Sequence, residues 1–402
     1  MAQNNIQIAL VAACDRYNYG DVLMPIIFEE FYFKYAKKKA EFTYYGLSKK
    51  DLRNIGGRKT DSLFDIPDDT KYIILAGGEV LNSQYTNMFL NLQTNVVVIT
   101  FFNKLSRISG RLNNLICKKL LRGKNILPWS IFPKSSDQKV FYNAVGGVGT
   151  LKVTGEQQEE ILKVIDSSEM FSVRDKKTYE ILCGLGADEK LQLIPDTAIY
   201  MSRLYSLERL KGLISDYVRD VLCDLNTFYV VQMNKRFGDK IKDYVIDAIN
   251  EFYEKEQKTC ILLPIGRAQG HEDILPLREV KNRTKDGACI LIEENNIFDV
   301  MYIIATSKAY LGTSLHGIIT AASYGIPHTV ISSIAEKTKN FVLSWNTTSV
   351  VSVDGVEQFM DFIGADDLGS TVQVENIENM KTKVEDYFNG IIKIIEDDDG
   401  VL

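Results

Sequence analysis

Only three histidines occur in this chain, and one of them lies in Gly312-Thr313-Ser314-Leu315-His316-Gly317, after an apolar run and at the head of a small-residue helix ending at Gly325-Ile326-Pro327. An apolar run leading into such a helix reads as a strand-to-helix junction. That junction aims backbone N–H groups and the positive end of a helix at its ligand, which suits an anion beside a titratable imidazole. His316 is therefore the first candidate for site chemistry, with Ser314 and Gly317 beside it. Cations that could join the anion site sit on other loops after apolar runs: Arg174 in Ser172-Val173-Arg174-Asp175, Lys235 and Arg236 after Gln232-Met233-Asn234, and Arg267 in the stretch Pro264 to Asp273. An arginine can grip a carboxylate or phosphate bidentately, although Arg174 could equally pair with Asp175 or another acid. Lys235 and Arg236 divide evenly between ligand contact and plain solvation. His271 reads as a first-turn helix residue and His328 as structural, and Asp196 suits a helix cap. Two further loops, Asn18-Tyr19-Gly20-Asp21 and Ala76-Gly77-Gly78-Glu79, also follow apolar runs, and glycine there permits close backbone approach to a ligand or simply a turn.

The elements that must carry these residues alternate along the chain. Strands are predicted at Ile6 to Ala12, Lys71 to Leu75, Val96 to Thr100 and Val140 to Val145, with helices over Asp21 to Ala36, Gly155 to Asp166 and Lys176 to Leu185. The pattern restarts after Pro195-Asp196 with a helix over Leu207 to Val221. Strands follow at Phe228 to Met233, Cys260 to Pro264, Cys289 to Glu293, Ala309 to Gly312 and Thr329 to Ser332, separated by helices. Such alternation predicts an α/β fold of two Rossmann-like domains with parallel sheets, the loops above lying at strand carboxyl ends where ligands bind. The domains are read as 1–205 and 206–345. A C-terminal extension, 346–402, has one strand, a helix over Asn376 to Ile395 that would brace the first domain, and an acidic end at Glu396-Asp397-Asp398-Asp399 read as solvated tail.

With 402 residues, 45% hydrophobic and 25% charged, the chain is long enough for two cores and has the balance of a globular protein. A net charge of −6 argues against general nucleic-acid binding. The six cysteines are dispersed without a CxxC pair, so reduced core thiols are expected rather than a zinc site or disulfide framework. No metal is expected. The N-terminus lacks the pattern of a signal peptide and no run is long enough to span a membrane, so a cytoplasmic location is expected. One stretch departs from the average: Val80 to Ser136 has no Asp or Glu, while Lys104, Arg107, Arg111, Lys118, Lys119, Arg122, Lys124 and Lys134 accumulate among apolar residues at helical spacing. Residues 101–125 then form a basic amphipathic segment, which either packs its apolar face on its own domain or makes peripheral contact with an anionic membrane surface.

Taken in order, NYGD at Asn18, AGGEVLN at Ala76, SVRDKKTYEIL at Ser172, LIPDTA at Leu193 and YLGTSLHGIITAASYGIP at Tyr310 resemble the polysaccharide pyruvyl transferase family, over roughly Ile6 to Ile331. The resemblance implies a GT-B-like pair of domains with the active site in the cleft between them. It further implies transfer of pyruvate from phosphoenolpyruvate, as co-substrate and with no separate cofactor, to a sugar of a cell-surface glycan or its lipid-linked precursor as a ketal. His316 would then be catalytic, Arg174, Ser314, Gly317, Arg267, Lys235 and Arg236 would bind the donor, and Asn18, Gly20, Asp21, Gly77, Gly78 and Glu79 would form acceptor-side loops. One position departs: family members carry arginine immediately before Leu-His, and here it is Ser314. Either Arg267, Lys235 or Arg236 supplies that charge, or the donor is held differently, or activity is lost. The alternatives to the transferase are a nucleotide-sugar glycosyltransferase of the same architecture and a non-catalytic glycan-binding homologue.

Overall fold

A computed structural model describes residues 5–187 and 190–398. The chain forms two compact units, one from the described residues of Met1–Arg53, Gly57–Thr197 and Thr382–Leu402, the other from Asn54–Gly56 and Ala198–Lys381. The chain passes from one to the other after Thr197, where the sequence reading places the boundary at 205, because Ala198, Ile199 and Tyr200 are buried with the second unit. The described residues of the expected 346–402 extension form no separate body: those up to Lys381 pack with the second unit and those from Thr382 to Asp398 with the first.

The first unit is built on nine strands, β1 (Ile6–Val11), β2 (Ala40–Gly46), β3 (Lys50–Asp51), β4 (Lys59–Ser62), β5 (Tyr72–Leu75), β6 (Gly78–Glu79), β7 (Lys139–Gly146), β8 (Met170–Val173) and β9 (Leu191–Leu193). Their order is β3-β4-β2-β1-β5-β7-β8-β9, with β6 paired to β7 and every pair parallel except β3 with β4. The helices are α1 (Tyr19–Tyr35), α2 (Tyr85–Asn91), α3 (Val96–Ile108), α4 (Gly110–Leu120), α5 (Gly155–Ser167) and α6 (Lys176–Gly184). One core joins Val140, Tyr142, Phe171 and Val173 of the sheet to Ile161, Val164, Ile165 and Leu182 of α5 and α6. Sheets buried on both faces by helices read as continuous apolar runs, which is why Ile6–Val11 and Tyr72–Leu75 are so plain in the sequence.

One expected strand of this unit fails for a tertiary reason. Val96 to Thr100 is helix rather than strand: Asn95 caps it by accepting from Val97 N and Val98 N, and Phe102, one turn on, packs with Tyr85, Cys117 and Leu121. A β-branched run is a weak prior, and a cap with a buried anchor outweighs it. Strand β2 has no counterpart in the sequence reading, since Ala-Glu-Phe-Thr-Tyr-Tyr-Gly lacks a clean period.

The second unit has six strands, all parallel. They are β10 (Phe228–Gln232), β11 (Thr259–Leu262), β12 (Cys289–Leu291), β13 (Tyr310–Gly312), β14 (His328–Ile331) and β15 (Ser352–Val353), in the order β12-β11-β10-β13-β14-β15. Its helices are α7 (Met201–Leu204), α8 (Leu207–Lys211), α9 (Asp216–Cys223), α10 (Lys235–Glu256), α11 (Ile274–Arg283), α12 (Ile297–Thr306), α13 (Leu315–Ser323), α14 (Glu336–Trp345) and α15 (Val356–Ile363); α16 (Val374–Asp398) begins here and continues into the first unit. The single helix expected over Leu207 to Val221 is broken at Gly212, and Ser215 starts α9 by accepting from Val218 N while its own N–H is held by Asp299 at 2.7 Å.

Two residues of the acidic end are docked and not solvated, while Asp397 is exposed. Glu396 accepts from Lys37 N and Lys38 N at the end of α1, and Asp398 pairs with Lys71 Nζ at 3.0 Å and Tyr72 OH at 3.1 Å. Asp399 lies outside the described residues. Cys14, Cys117, Cys260 and Cys289 are buried, Cys183 is half-buried, and Cys223 is exposed rather than in a core.

Candidate functional site

In each sheet the strand order reverses beside the first strand of the unit, between β1 and β5 in one and between β10 and β13 in the other. At such a reversal the flanking connections leave in opposite directions, opening a crevice at the carboxyl ends of the strands. The sequence motifs lie at these two places.

In the first unit β1 leads through Asn18 to α1, and β5 leads into Ala76-Gly77-Gly78-Glu79. Gly77 and Gly78 have φ of +120° and +100°, and a Cβ on Gly77 would lie 2.6 Å from Met24 Sδ, so the turn requires glycine. Asn18 Nδ2 donates to Asp21 Oδ2 at 2.7 Å, holding the first turn of α1. The kink lets the chain resume pairing as β6, against a part of β7 lying beyond a bulge at Tyr142–Val145. Ala144 has φ +48° there, and Ser172 Oγ bridges the bulge by accepting from Ala144 N and donating to Tyr142 O.

Glu79 is thereby brought to Arg174, with Oε2 3.0 Å from Nη2, while Arg174 Nη1 lies 2.8 Å from Asp196 Oδ2. Arg174 is 2% exposed and Asp196 fully buried. Burial alone would lower the guanidinium pKa, but Asp196 and Glu79 outweigh it and raise it above its ordinary value. The ion pairs of Arg174 are thus made with Asp196 and Glu79 and not with its neighbour Asp175. Asp175 instead caps α6 through Thr178 N at 2.8 Å.

In the second unit three loops lie side by side, since Val231 pairs with Leu262 and Gln232 with Gly312 in register. Gln232, the last residue of β10 and 1% exposed, joins them. Its Oε1 accepts from Ser314 N at 2.9 Å and Thr313 N at 3.1 Å, and its Nε2 donates to Asp273 Oδ2 at 2.8 Å. The same Asp273 oxygen accepts from Ile265 N and Gly266 N, each at 3.0 Å. Burial pushes the Asp273 carboxyl up to about 6 against the lowering effect of these three donors. The sequence analysis names neither residue as a candidate; for Gln232 the available signal is a polar side chain closing an apolar run, which marks a strand end with a buried hydrogen-bonding task.

His316 occupies the first turn of α13 and is 6% exposed. Ser314, the N-cap, has extended φ and ψ but makes no side-chain capping bond, so its hydroxyl does not close off the first-turn N–H groups. Thr313 is fixed from α14 by Thr338 Oγ1, which donates to its carbonyl at 2.8 Å. Gly317 is required by Tyr310: a Cβ there would lie 1.9 Å from the phenol oxygen. Of the cations, Lys235 pairs with Glu272 at 3.0 Å and is half exposed, Arg236 is exposed beside the Phe237 ring, and Arg267 is half-buried and donates to Glu293 O. His328 is fully buried between Ile326 O at 2.7 Å and Thr347 Oγ1 at 3.0 Å, and burial lowers its pKa to about 4.

The structure thus groups Ser314, His316, Gly317, Lys235, Arg236 and Arg267 along one strand edge of the second unit, and Asn18, Gly20, Asp21, Gly77, Gly78, Glu79 and Arg174 at the corresponding edge of the first. Among the described residues, no group of three or more His, Cys, Asp or Glu side chains is arranged to hold a metal ion.

The family model described as polysaccharide pyruvyl transferase matches residues 18–333. Among solved structures the chain is similar to UDP-GlcNAc 2-epimerase from Neisseria meningitidis bound to UDP-GlcNAc, at 12% identity and a TM-score of 0.55 over 96% of this chain and 99% of that one. It is also similar to the Methanocaldococcus jannaschii UDP-GlcNAc 2-epimerase in complex with UDP-GlcNAc and UDP, at 11% identity and a TM-score of 0.51 over 96% and 99%. Anabaena HepE in complex with UDP-glucose gives 10% identity and a TM-score of 0.51 over 96% and 98%. These likenesses show a GT-B-like fold of two α/β units. A search of the curated proteins found no match.

Proposed function

Because the chain belongs to the polysaccharide pyruvyl transferase family, we propose that it moves pyruvate from phosphoenolpyruvate onto two hydroxyls of one sugar of a cell-surface glycan or its lipid-linked precursor, closing a cyclic ketal. The observation that carries this reading is the buried imidazole of His316 in the first turn of α13, beside an N-cap that leaves the helix mouth to a ligand. The donor's phosphate and carboxylate sit at that mouth, with Lys235, Arg236 and Arg267 on the neighbouring loops in place of the family arginine at Ser314. His316 in its protonated form delivers a proton to the methylene carbon, turning it into a methyl group and leaving an oxocarbenium-like carbon. A sugar hydroxyl adds to that carbon and its proton returns to the imidazole. The second hydroxyl displaces phosphate, its proton leaving with the phosphate. Glu79, oriented by Arg174, is assigned to the acceptor loops.

Acceptor-dependent phosphate release from phosphoenolpyruvate tests the reaction. His316→Asn should lower turnover by about 10²–10⁴-fold while phosphoenolpyruvate still raises the melting temperature. Ser314→Arg should strengthen that thermal protection. Full turnover by His316→Asn would remove its role. A wild type that shows no phosphate release and no thermal protection by phosphoenolpyruvate would sink the pyruvyl reading, and protection by a nucleotide sugar instead would point to glycosyl transfer.

A further inference from the structure

The acid-free stretch folds as a helical hairpin, α3 and α4 joined at Ser109, with two separate apolar sets. The inward set, Phe102, Cys117 and Leu121, is buried with Tyr85, and Asn113 Nδ2 locks the two helices together by donating to Phe102 O at 2.9 Å. Among the described residues no element covers the outward set: Val97 is 76% exposed, Phe101 58%, Ile108 83%, Leu112 50% and Leu115 56%. Val97, Phe101 and Ile108 recur at intervals of four and seven along α3, and Leu112 and Leu115 at three along α4, so each helix shows an apolar stripe to solvent. Packing against its own domain therefore accounts for one face of the hairpin and leaves the other unexplained.

Around the outward residues stand Lys104, Arg107, Arg111 and Lys119, all exposed. Among the described residues, the ion pairs made by Val80 to Ser136 are Arg122 with Asp65 and Lys134 with Asp68, which leaves these four cations outside any ion pair. We infer that the outward face of the α3–α4 hairpin is a docking surface for an anionic lipid bilayer. Apolar side chains enter the boundary between headgroups and acyl chains while the surrounding cations meet lipid phosphates, the combination that holds amphipathic helices in an interface. Charge decides against a second copy of this chain, since a two-fold contact would set these cations against their own kind. The exposed valine, isoleucine and leucine decide against a nucleic acid, which offers them no apolar surface between its phosphates.

Co-sedimentation of the full chain with phosphatidylcholine vesicles, and with vesicles holding about 30% phosphatidylglycerol, tests this at physiological salt. At least tenfold stronger partitioning into the anionic vesicles is expected. The triple variants F101S/I108S/L115S and R107E/R111E/K119E should each lose at least tenfold of that binding with unchanged melting temperatures, because every substituted side chain is exposed. Equal partitioning into both vesicle types, or binding that neither variant weakens, overturns the proposal. So does a dimer in lipid-free solution that F101S/I108S/L115S dissociates, or tighter binding to an oligonucleotide duplex than to anionic vesicles.

Discussion

Gln232→Glu keeps the shape of the buried hub and changes one atom. A glutamate oxygen can still accept from Ser314 N and Thr313 N, but its other oxygen replaces an N–H donor facing Asp273 Oδ2 across 2.8 Å. Two ionised carboxylates at that distance repel by about 6 kcal/mol at an effective dielectric constant near 20, so the pair keeps a proton instead. The folded-state pKa of the pair then lies above the unfolded values of both residues. A raised folded pKa contributes stability at low pH that is lost as pH rises through it. The deficit of the variant against wild type should grow by about 1.4 kcal/mol per pH unit between pH 6 and 8, close to 3 kcal/mol over that window. For a unit of this size that corresponds to about 6–12 °C in melting temperature. Urea unfolding followed by circular dichroism at pH 6, 7 and 8 measures it. A deficit independent of pH, or a variant as stable as wild type at pH 8, would refute the view that Gln232 joins Ser314 to a buried carboxylate.

Two further outcomes follow from buried charge. His328, whose folded pKa is depressed to about 4, costs stability as pH falls from 6.5 toward 4, because the unfolded chain takes the proton first; Asp273, raised to about 6, returns stability over nearly the same range. Each amounts to about 3 kcal/mol, so Asp273→Asn should make the protein more acid-sensitive than wild type near pH 4.5, and equal acid sensitivity in urea titrations would refute the offsetting contribution of Asp273. Arg174→Met should cost about 3–5 kcal/mol by stranding Asp196 and Glu79, and Arg174→Met/Asp196→Asn should recover part of it; a loss under 1 kcal/mol would mean that the ion pair is not the role of Arg174.

The sequence by itself determined the class of fold and the addresses of the loops. Apolar runs such as Ile6 to Ala12 and Phe228 to Met233 alternate with helical periods, and a chain of that pattern has few solutions other than parallel sheets under helices. It also set His316 at a helix mouth, since the order of strand, short polar turn and small-residue helix is local information. Partnership was decided only by the tertiary structure. Arg174 meets Asp196 and Glu79 from 22 and 95 residues away, and Gln232 meets Asp273 and Ser314 from 41 and 82. No spacing rule reaches that far, because which strand ends become neighbours depends on sheet order. The same holds for Val96 to Thr100, helical through a cap and a buried phenylalanine, and for Glu396 and Asp398, which look like tail residues until α16 carries them to Lys37 and Lys71. Local pattern is a property of neighbours in the chain, whereas the charge state and hydrogen bonds of a site are properties of neighbours in space.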